Sequence, residues 1–262
     1  KNIFGSPNHP EILISFLNAT LKAKKKIVNV DIKKTDIEKQ YIEDKYSRLD
    51  VKATTSNDEI INIEIQLKNE NNMVKRSLYY LSKMYEEQLN EKEDYSKLVR
   101  TVCINILNFK YLKTDNFHTG YRFKEIESNE ELTDIMEVHF IEIPKLQDSS
   151  DEKDMLVAWT EFLKDPESEK VRGLELSIEE IRQAKDELIR MSNDSTQREL
   201  YDMRANSLRD KMSELNAAER KGIEKGREEE KIKIARNMKL SGIDTNTIAK
   251  ITNLSEDEID KL

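Results

Sequence analysis

RLDVKATTSNDEIINIEIQLK, residues 48–68, is the stretch on which the reading of the whole chain turns. Side chains of a β-strand alternate between its two faces. In IINIEIQLK (60–68), Ile61, Ile63, Ile65 and Leu67 therefore share one face, while Asn62, Glu64, Gln66 and Lys68 share the other. In SRLDVKA (47–53), Leu49, Val51 and Ala53 form an apolar face and Arg48, Asp50 and Lys52 the opposite one. TTSNDE joins the two runs, which predicts a β-hairpin centred at Asn57, midway between Asp50 and Glu64. These two carboxylates then stand directly opposite each other, with Cβ atoms about 4.5–5.5 Å apart. Like charges at that spacing repel, and a hard divalent cation between them relieves the repulsion. Mg²⁺, which takes one or two carboxylates and retains several waters, suits such a pair. Parity alone equally allows both acids to decorate a solvated sheet face, neutralised by Lys52 and Lys68.

Outward from the hairpin, HPEILISFLNATLKAKKK (9–26) predicts an amphipathic helix with Pro10 in its first turn, and IVNVDI (27–32) a short strand. KRSLYYLSKMYEEQL (75–89) has helical spacing, and VRTVCINILNF (99–109) is the continuous apolar run of a buried strand. The order is α, β, β, β, α, β. Further strands are expected in GYRFKEI (120–126) and VHFIEIPKL (138–146), the second with imperfect alternation. From DMLVAWTEFL (154–163) onward the patterns are helical only. ELNAAERKGIEKGREEEKIKIARNMKL (214–240) predicts a long polar helix in which Gly222 and Gly226 each cost roughly 1 kcal/mol relative to Ala. Gly242 suits the left-handed residue that ends it, Asp244 can cap TNTIAKI, and Ser255 with Glu258 forms a capping box for the last helix.

Hydrophobic and charged residues each make up 37% of the chain, so a core requires the apolar residues to be concentrated, and the strand-like runs all precede about residue 145. The net charge of −8 hides an asymmetry: residues 1–125 carry 22 Lys+Arg against 18 Asp+Glu, leaving 22 against 34 for residues 126–262. The first half is thus the half that suits phosphate, and the acidic second half repels it. The longest apolar stretches, ILISFLNATL (12–21) and VCINILNF (102–109), are shorter than the roughly 20 residues of a membrane span. With no secretory signal visible, a soluble cytoplasmic protein is expected. Cys103 stands alone in an apolar run, which excludes a disulfide within the chain and favours a core residue over a nucleophile. His9, His118 and His139 lack zinc spacing.

FGSPNHPEILISFLNATL (4–21), LDVKA (49–53), NIEIQL (62–67), RSLYYLSKMY (76–85), VHFIEIPKL (138–146) and GIEKGREEE (222–230), in that order, resemble the Rpn family of recombination-promoting nucleases, also described as PD-(D/E)XK nuclease family transposases. The resemblance covers nearly the whole chain. It implies acidic metal ligands at Asp50 and Glu64, a metal shell completed by the backbone carbonyl of Ile65, and a third motif position at Gln66. Many relatives outside that group have Lys at this third position, where it orients the attacking water and offsets developing charge. Gln66 can hydrogen-bond but brings no charge, which leaves Lys52 or Lys68 to supply the cation. Glu11 corresponds to a helix carboxylate of the superfamily, or is simply an acid placed by the helix dipole. Arg76, Tyr80 and Lys83 fall on one side of their helix, where they can hold phosphates, and Lys24, Lys25 and Lys26 can contact DNA backbone, as can Lys68.

These readings lead to an α/β, restriction-endonuclease-like PD-(D/E)XK core with a mixed central sheet flanked by helices over 1–145, a helical extension over 146–213, and a charged helical tail over 214–262 that ends in two short helices. The expected function is Mg²⁺-dependent DNA endonuclease activity, with Mn²⁺ as a substitute ion, linked to recombination, mobile elements or defence against foreign DNA. The competing reading is a catalytically silent DNA-binding or regulatory protein that retains the fold. The two short terminal helices could resemble a helix-turn-helix, yet SEDEIDKL (255–262) places four acids where a recognition helix would meet DNA, so the acidic C-terminal half is read as an assembly or regulatory region supporting a homo-oligomer, dispensable for cleavage beyond about residue 165.

Overall fold

Pro10 fixes the first turn of α1 (Pro10–Leu21), and Lys22, in the left-handed region, closes it by donating its backbone N–H to Asn18 O. In the computed structural model the described residues are 3–22, 25–33, 36–37, 47–48, 50–151 and 153–262, with no side chains described at 36, 37, 47, 48, 195–202, 204, 205, 207, 208, 211 and 212. Lys24 and Leu49 lie outside the described residues. After α1 come β1 (Val30–Lys33), the short antiparallel pair β2 (Asp36–Ile37) and β3 (Ser47–Arg48), then β4 (Val51–Thr55) and β5 (Ile60–Gln66). The crossover helix α2 (Met73–Glu86) leads to β6 (Thr101–Leu107), and a hairpin of β7 (His118–Lys124) and β8 (Glu131–Glu142) completes the strands.

Six strands form one sheet in the order β1-β4-β5-β6-β8-β7. β5, β6 and β8 are parallel neighbours, and antiparallel pairs close both edges. A short turn through Asp58 (φ 60°) forces β4 and β5 antiparallel, whereas β5 reaches its parallel neighbour only through α2. Every residue of β6 is buried, as a strand covered on both faces requires. β8 begins at Glu131, seven residues before the start expected from the sequence. Its first five residues, Glu131–Ile135, are exposed or half-buried, pair with β7 and not with β6, and slip register near Phe123, so they carry no clear burial parity to read.

One sheet face, with Val51, Ala53, Ile61, Ile63, Val102, Ile104, Ile106 and Ile141, packs against α1 and against α3 (Met155–Lys164), α4 (Glu169–Glu175) and α5 (Glu179–Asn193). Phe4, Phe16 and Trp159 meet here at centroid distances of 4.5–6.3 Å. On the other face Met73 and Leu81 of α2 pack on Cys103, Leu107, Val138 and Phe140. Helices beyond residue 145 therefore belong to the sheet's own core, and the compact unit runs from Lys1 to Asp194. The second unit, Ser195–Leu262, consists of the 46-residue α6 (Ser195–Leu240), α7 (Thr245–Thr252) and α8 (Glu256–Asp260). Ala235, Ile248, Leu254 and Ile259 form its core. Gly242 (φ 77°), the Asp244 cap on Thr247 and the Ser255–Glu258 capping box stand as the sequence predicts. Among the described residues no helix is long and apolar enough to cross a membrane.

Candidate active site

The hairpin register pairs Val51 with Ile63 and Lys52 with Asn62. One step further, in the bend before β4, Asp50 stands opposite Glu64, as the midpoint at Asn57 predicts. Each carboxylate accepts a backbone N–H from the facing strand segment: Asp50 N donates to Glu64 Oε1 (3.2 Å), and Ile65 N, next to Glu64, donates to Asp50 Oδ2 (3.0 Å). The face they occupy is not the solvated surface that parity alone allowed. Asn62 is 0% and Glu64 2% exposed.

Burial, joined by the Asp50 charge, pushes the Glu64 carboxyl up to about 7, against the opposing effects of Asn62, the Asp50 N–H and Arg76. Behind it lies a buried polar group made of Asn62, which parity put on this face, and of Asn105, Ser77 and the His139 carbonyl, which strand parity had not singled out. Asn62 Nδ2 donates to Glu64 Oε1 (3.3 Å), and Asn105 is Glu64's register partner on β6. Asn105 Nδ2 donates to His139 O (3.1 Å), while its Oδ1 lies 2.8 Å from Ser77 Oγ on α2. The polar Asn105 inside a doubly buried strand was the one signal in the sequence that could have pointed to this backing.

Arg76 reaches in from α2, 3.8 Å from Glu64 Oε2 and 3.7 Å from Glu70 Oε2, with its guanidinium 5.4 Å from the Tyr80 ring centroid. Its Nε is buried without a partner. Tyr80 is 9% exposed, and burial pushes its phenol up, so it supports Arg76 rather than offering an open stacking surface. Lys52 shares the face, but its ammonium donates to Glu87 at the end of α2 (3.1 Å), and Lys83 donates to Glu86 (3.3 Å). Gln66 and Lys68 are half-buried at the carboxyl end of β5.

Two groups of the expected residues lie away from the carboxylate pair. Glu11 sits on α1, packed on the opposite sheet face; its Oε1 is 2.9 Å from His9 Nδ1, and it lines a cleft with Ser15, Lys22, Asp154 and Glu180. Lys25 O accepts a hydrogen bond from Asn57 Nδ2 in the β4–β5 turn, which puts Lys25 and Lys26 at the far end of the hairpin from Asp50. Seven residues of strand correspond to about 23 Å. Cys103, buried beneath α2, has its thiol pushed up to about 12 by burial and by Glu64, which fits a core residue.

Two facing carboxylates, one held against ionisation, form an all-oxygen donor set that a backbone carbonyl and waters can complete, which suits a hard divalent cation. Among the described residues no cluster of three or more His, Cys, Asp or Glu offers a richer metal site. A mixed sheet between helices, an acid heading β4 and a Glu-x-Gln on β5 define the PD-(D/E)XK class of nucleases, which use divalent metals. The chain belongs to the PD-(D/E)XK nuclease family transposases, whose family model matches residues 1–218. Residues 228–262 match the C-terminal HTH domain of the Rpn/YhgA-like nuclease family. No curated protein and no solved structure matches the chain. The tail match bears out the likeness of the two terminal helices to a helix-turn-helix, whose core of Ala235, Ile248, Leu254 and Ile259 is independent of the exposed acids of α8. A nuclease core joined to a helix-turn-helix implies DNA as partner.

Proposed function

We propose that the protein is a Mg²⁺-dependent DNA endonuclease, with Mn²⁺ as an effective substitute, acting in recombination, mobile-element movement or defence against foreign DNA. The observation that carries this reading is the buried Glu64 facing Asp50, with the Asp50 N–H donated to the Glu64 carboxylate and the Ile65 N–H to the Asp50 carboxylate. Asp50, Glu64 and the Ile65 carbonyl would hold the ion. When bound, it supplies Lewis acidity toward a phosphoryl oxygen and lowers the pKa of a coordinated water. Gln66, beside them on β5, orients the attacking water by hydrogen bonding. Arg76, 3.8 Å from Glu64, provides a cation beside the acids and offsets negative charge on the phosphate, a part for which Lys52, engaged by Glu87, is less available. The helix-turn-helix unit raises local DNA concentration for the core, and the C-terminal helices support a homo-oligomer.

The silent DNA-binding reading draws support from the uncharged Gln66. Incubating the full chain with supercoiled and linear DNA in Mg²⁺, Mn²⁺, Ca²⁺ or EDTA separates the two. Nicking or cutting in Mg²⁺ and Mn²⁺, abolished by EDTA and by Asp50→Asn, is expected. Cutting that survives EDTA removes the metal mechanism, and DNA binding without cutting in any ion favours the silent protein.

A further inference from the structure

The row Gln66, Leu107, Glu142 crosses the carboxyl ends of the three parallel strands in register. In open α/β sheets this edge is where ligands bind. From it springs the loop 108–117, NFKYLKTDNF, which none of the motif residues includes. Its first backbone N–H, at Asn108, donates to Gln66 O (3.0 Å). Its middle is held by a buried ion pair, Glu142 with Lys145, whose side chains are 1% and 6% exposed. Glu142 Oε2 accepts the backbone N–H groups of Tyr111 and Leu112. Lys145 Nζ donates to the carbonyls of Leu112 and Thr114 and to Glu142 Oε1, each at 2.7 Å. Its end is tied by Glu142 N donating to Phe117 O (2.7 Å).

A buried ion pair loses so much hydration that its net stabilisation is small or negative. Here four of its hydrogen bonds go to the backbone of one loop, so what the pair secures is that loop's conformation. Phe109, Tyr111 and Leu112 turn inward onto the core under α2, and Lys110 and Lys113 are left exposed, with no ion pair to either among the described residues. Asp115 is the loop's one acid. At the sheet's strand spacing Glu142 lies about 10 Å from Gln66, about three base-pair rises along a duplex axis.

We propose that the loop 108–117 is a rigid phosphate-binding wall of the active site, in which Lys110 and Lys113 hold the backbone of the DNA strand as it leaves Gln66. The proposal rests on the nuclease reading and adds a binding surface to it. Its chemistry is charge neutralisation, indifferent to base sequence.

The test uses the full chain carrying Asp50→Asn, so that binding is measured without cleavage, with a short duplex and with a single strand of the same sequence over a range of salt. Lys110→Ala and Lys113→Ala should each lower the slope of log affinity against log salt by about 0.9 on the duplex, or about 0.7 on the single strand. The double variant should bind about tenfold or more weakly near physiological salt, and Lys110→Arg should restore its share. In the cleaving parent the same variants should raise KM more than they lower kcat, with melting temperature unchanged. Glu142→Gln, which frees the loop, should weaken binding without removing a phosphate contact of its own. An unchanged salt slope in the Lys110, Lys113 double variant, in a parent that binds DNA, overturns the wall. A parent that neither binds nor cuts DNA overturns the nuclease reading and the wall with it.

Discussion

At the scale of single residues, Glu64 makes the sharpest demand, because its carboxyl is pushed to about 7 in the fold against 4.5 in the unfolded chain. Between those values the folded protein binds more protons than the unfolded one, so this group's contribution to stability is present below pH 4.5 and is lost as pH rises through 7. Glu64→Gln removes that dependence. In metal-free thermal melts the variant should gain on the parent between pH 4.5 and 7.5, by at most roughly 3 kcal/mol; a constant difference at all pH values counts against the assignment. Cleavage by Glu64→Gln and by Asp50→Asn should fall more than about a hundredfold, as removing a metal ligand exceeds the typical outer-shell effect. Gln66→Lys tests the departure from the wider superfamily. With Lys52 held by Glu87, the new ammonium meets little crowding from that side, and cleavage should stay equal or rise. A tenfold fall, about 1.4 kcal/mol of barrier, would assign Gln66 a hydrogen-bonding role that lysine cannot fill. The opposition of Asp50 and Glu64 was legible because strand parity has period two and the hairpin midpoint is short-range. The capture of Lys52 by Glu87, and the placement of Glu11 across the sheet, depend on how helices dock. No spacing in the sequence records that.

Among the elements, the edge hairpin of β7 and β8 is the least legible from pattern and the most constrained by contact. His139 lies with Nδ1 2.9 Å from His118 Nε2 and Nε2 2.6 Å from Glu137 Oε1. Glu137 in turn pairs with Arg100 and Arg122, and Arg100 with Glu59, which links β8 to the β6 entry and the β4–β5 turn. Burial, then the neighbouring His139, holds His118 down to about 4. Gly120 makes room for this cluster: a Cβ there would lie 3.0 Å from His139 Cε1 and 3.2 Å from Nδ1. Because His139 is gripped on both sides, Gly120→Ala should destabilise the protein by about 1–3 kcal/mol. Denaturant midpoints compare the two, and an unchanged midpoint would show that the ring can yield. By contrast β6 was readable end to end, since a strand covered on both faces writes its burial directly into an apolar run.

For the whole molecule, the two compact units move the boundary that composition suggested. A chain ending near residue 165 discards Val171, Leu174, Ile181 and Ala184, all part of the sheet's core. Each fully buried large aliphatic contributes about 1.5–3 kcal/mol, and the total stability of a domain is only about 5–15 kcal/mol. Truncation at 165 should therefore leave a chain that no longer melts cooperatively, whereas one ending at Asp194 should melt cooperatively and still cleave DNA, with lower affinity once the helix-turn-helix is gone. Calorimetry and a nicking assay on the pair decide this, and equal cooperativity of both would restore the earlier boundary. The first shift to helical composition misled because α3 to α5 cover the sheet with the same apolar types that α1 uses. The single cysteine gives the molecule a built-in clock. Cys103 is fully buried in the central strand β6, so an alkylating reagent can reach its sulfur only when that strand opens. The labelling rate then reports how often the middle of the sheet parts under native conditions, and labelling faster than global unfolding would reveal a local breathing of β6 beneath α2.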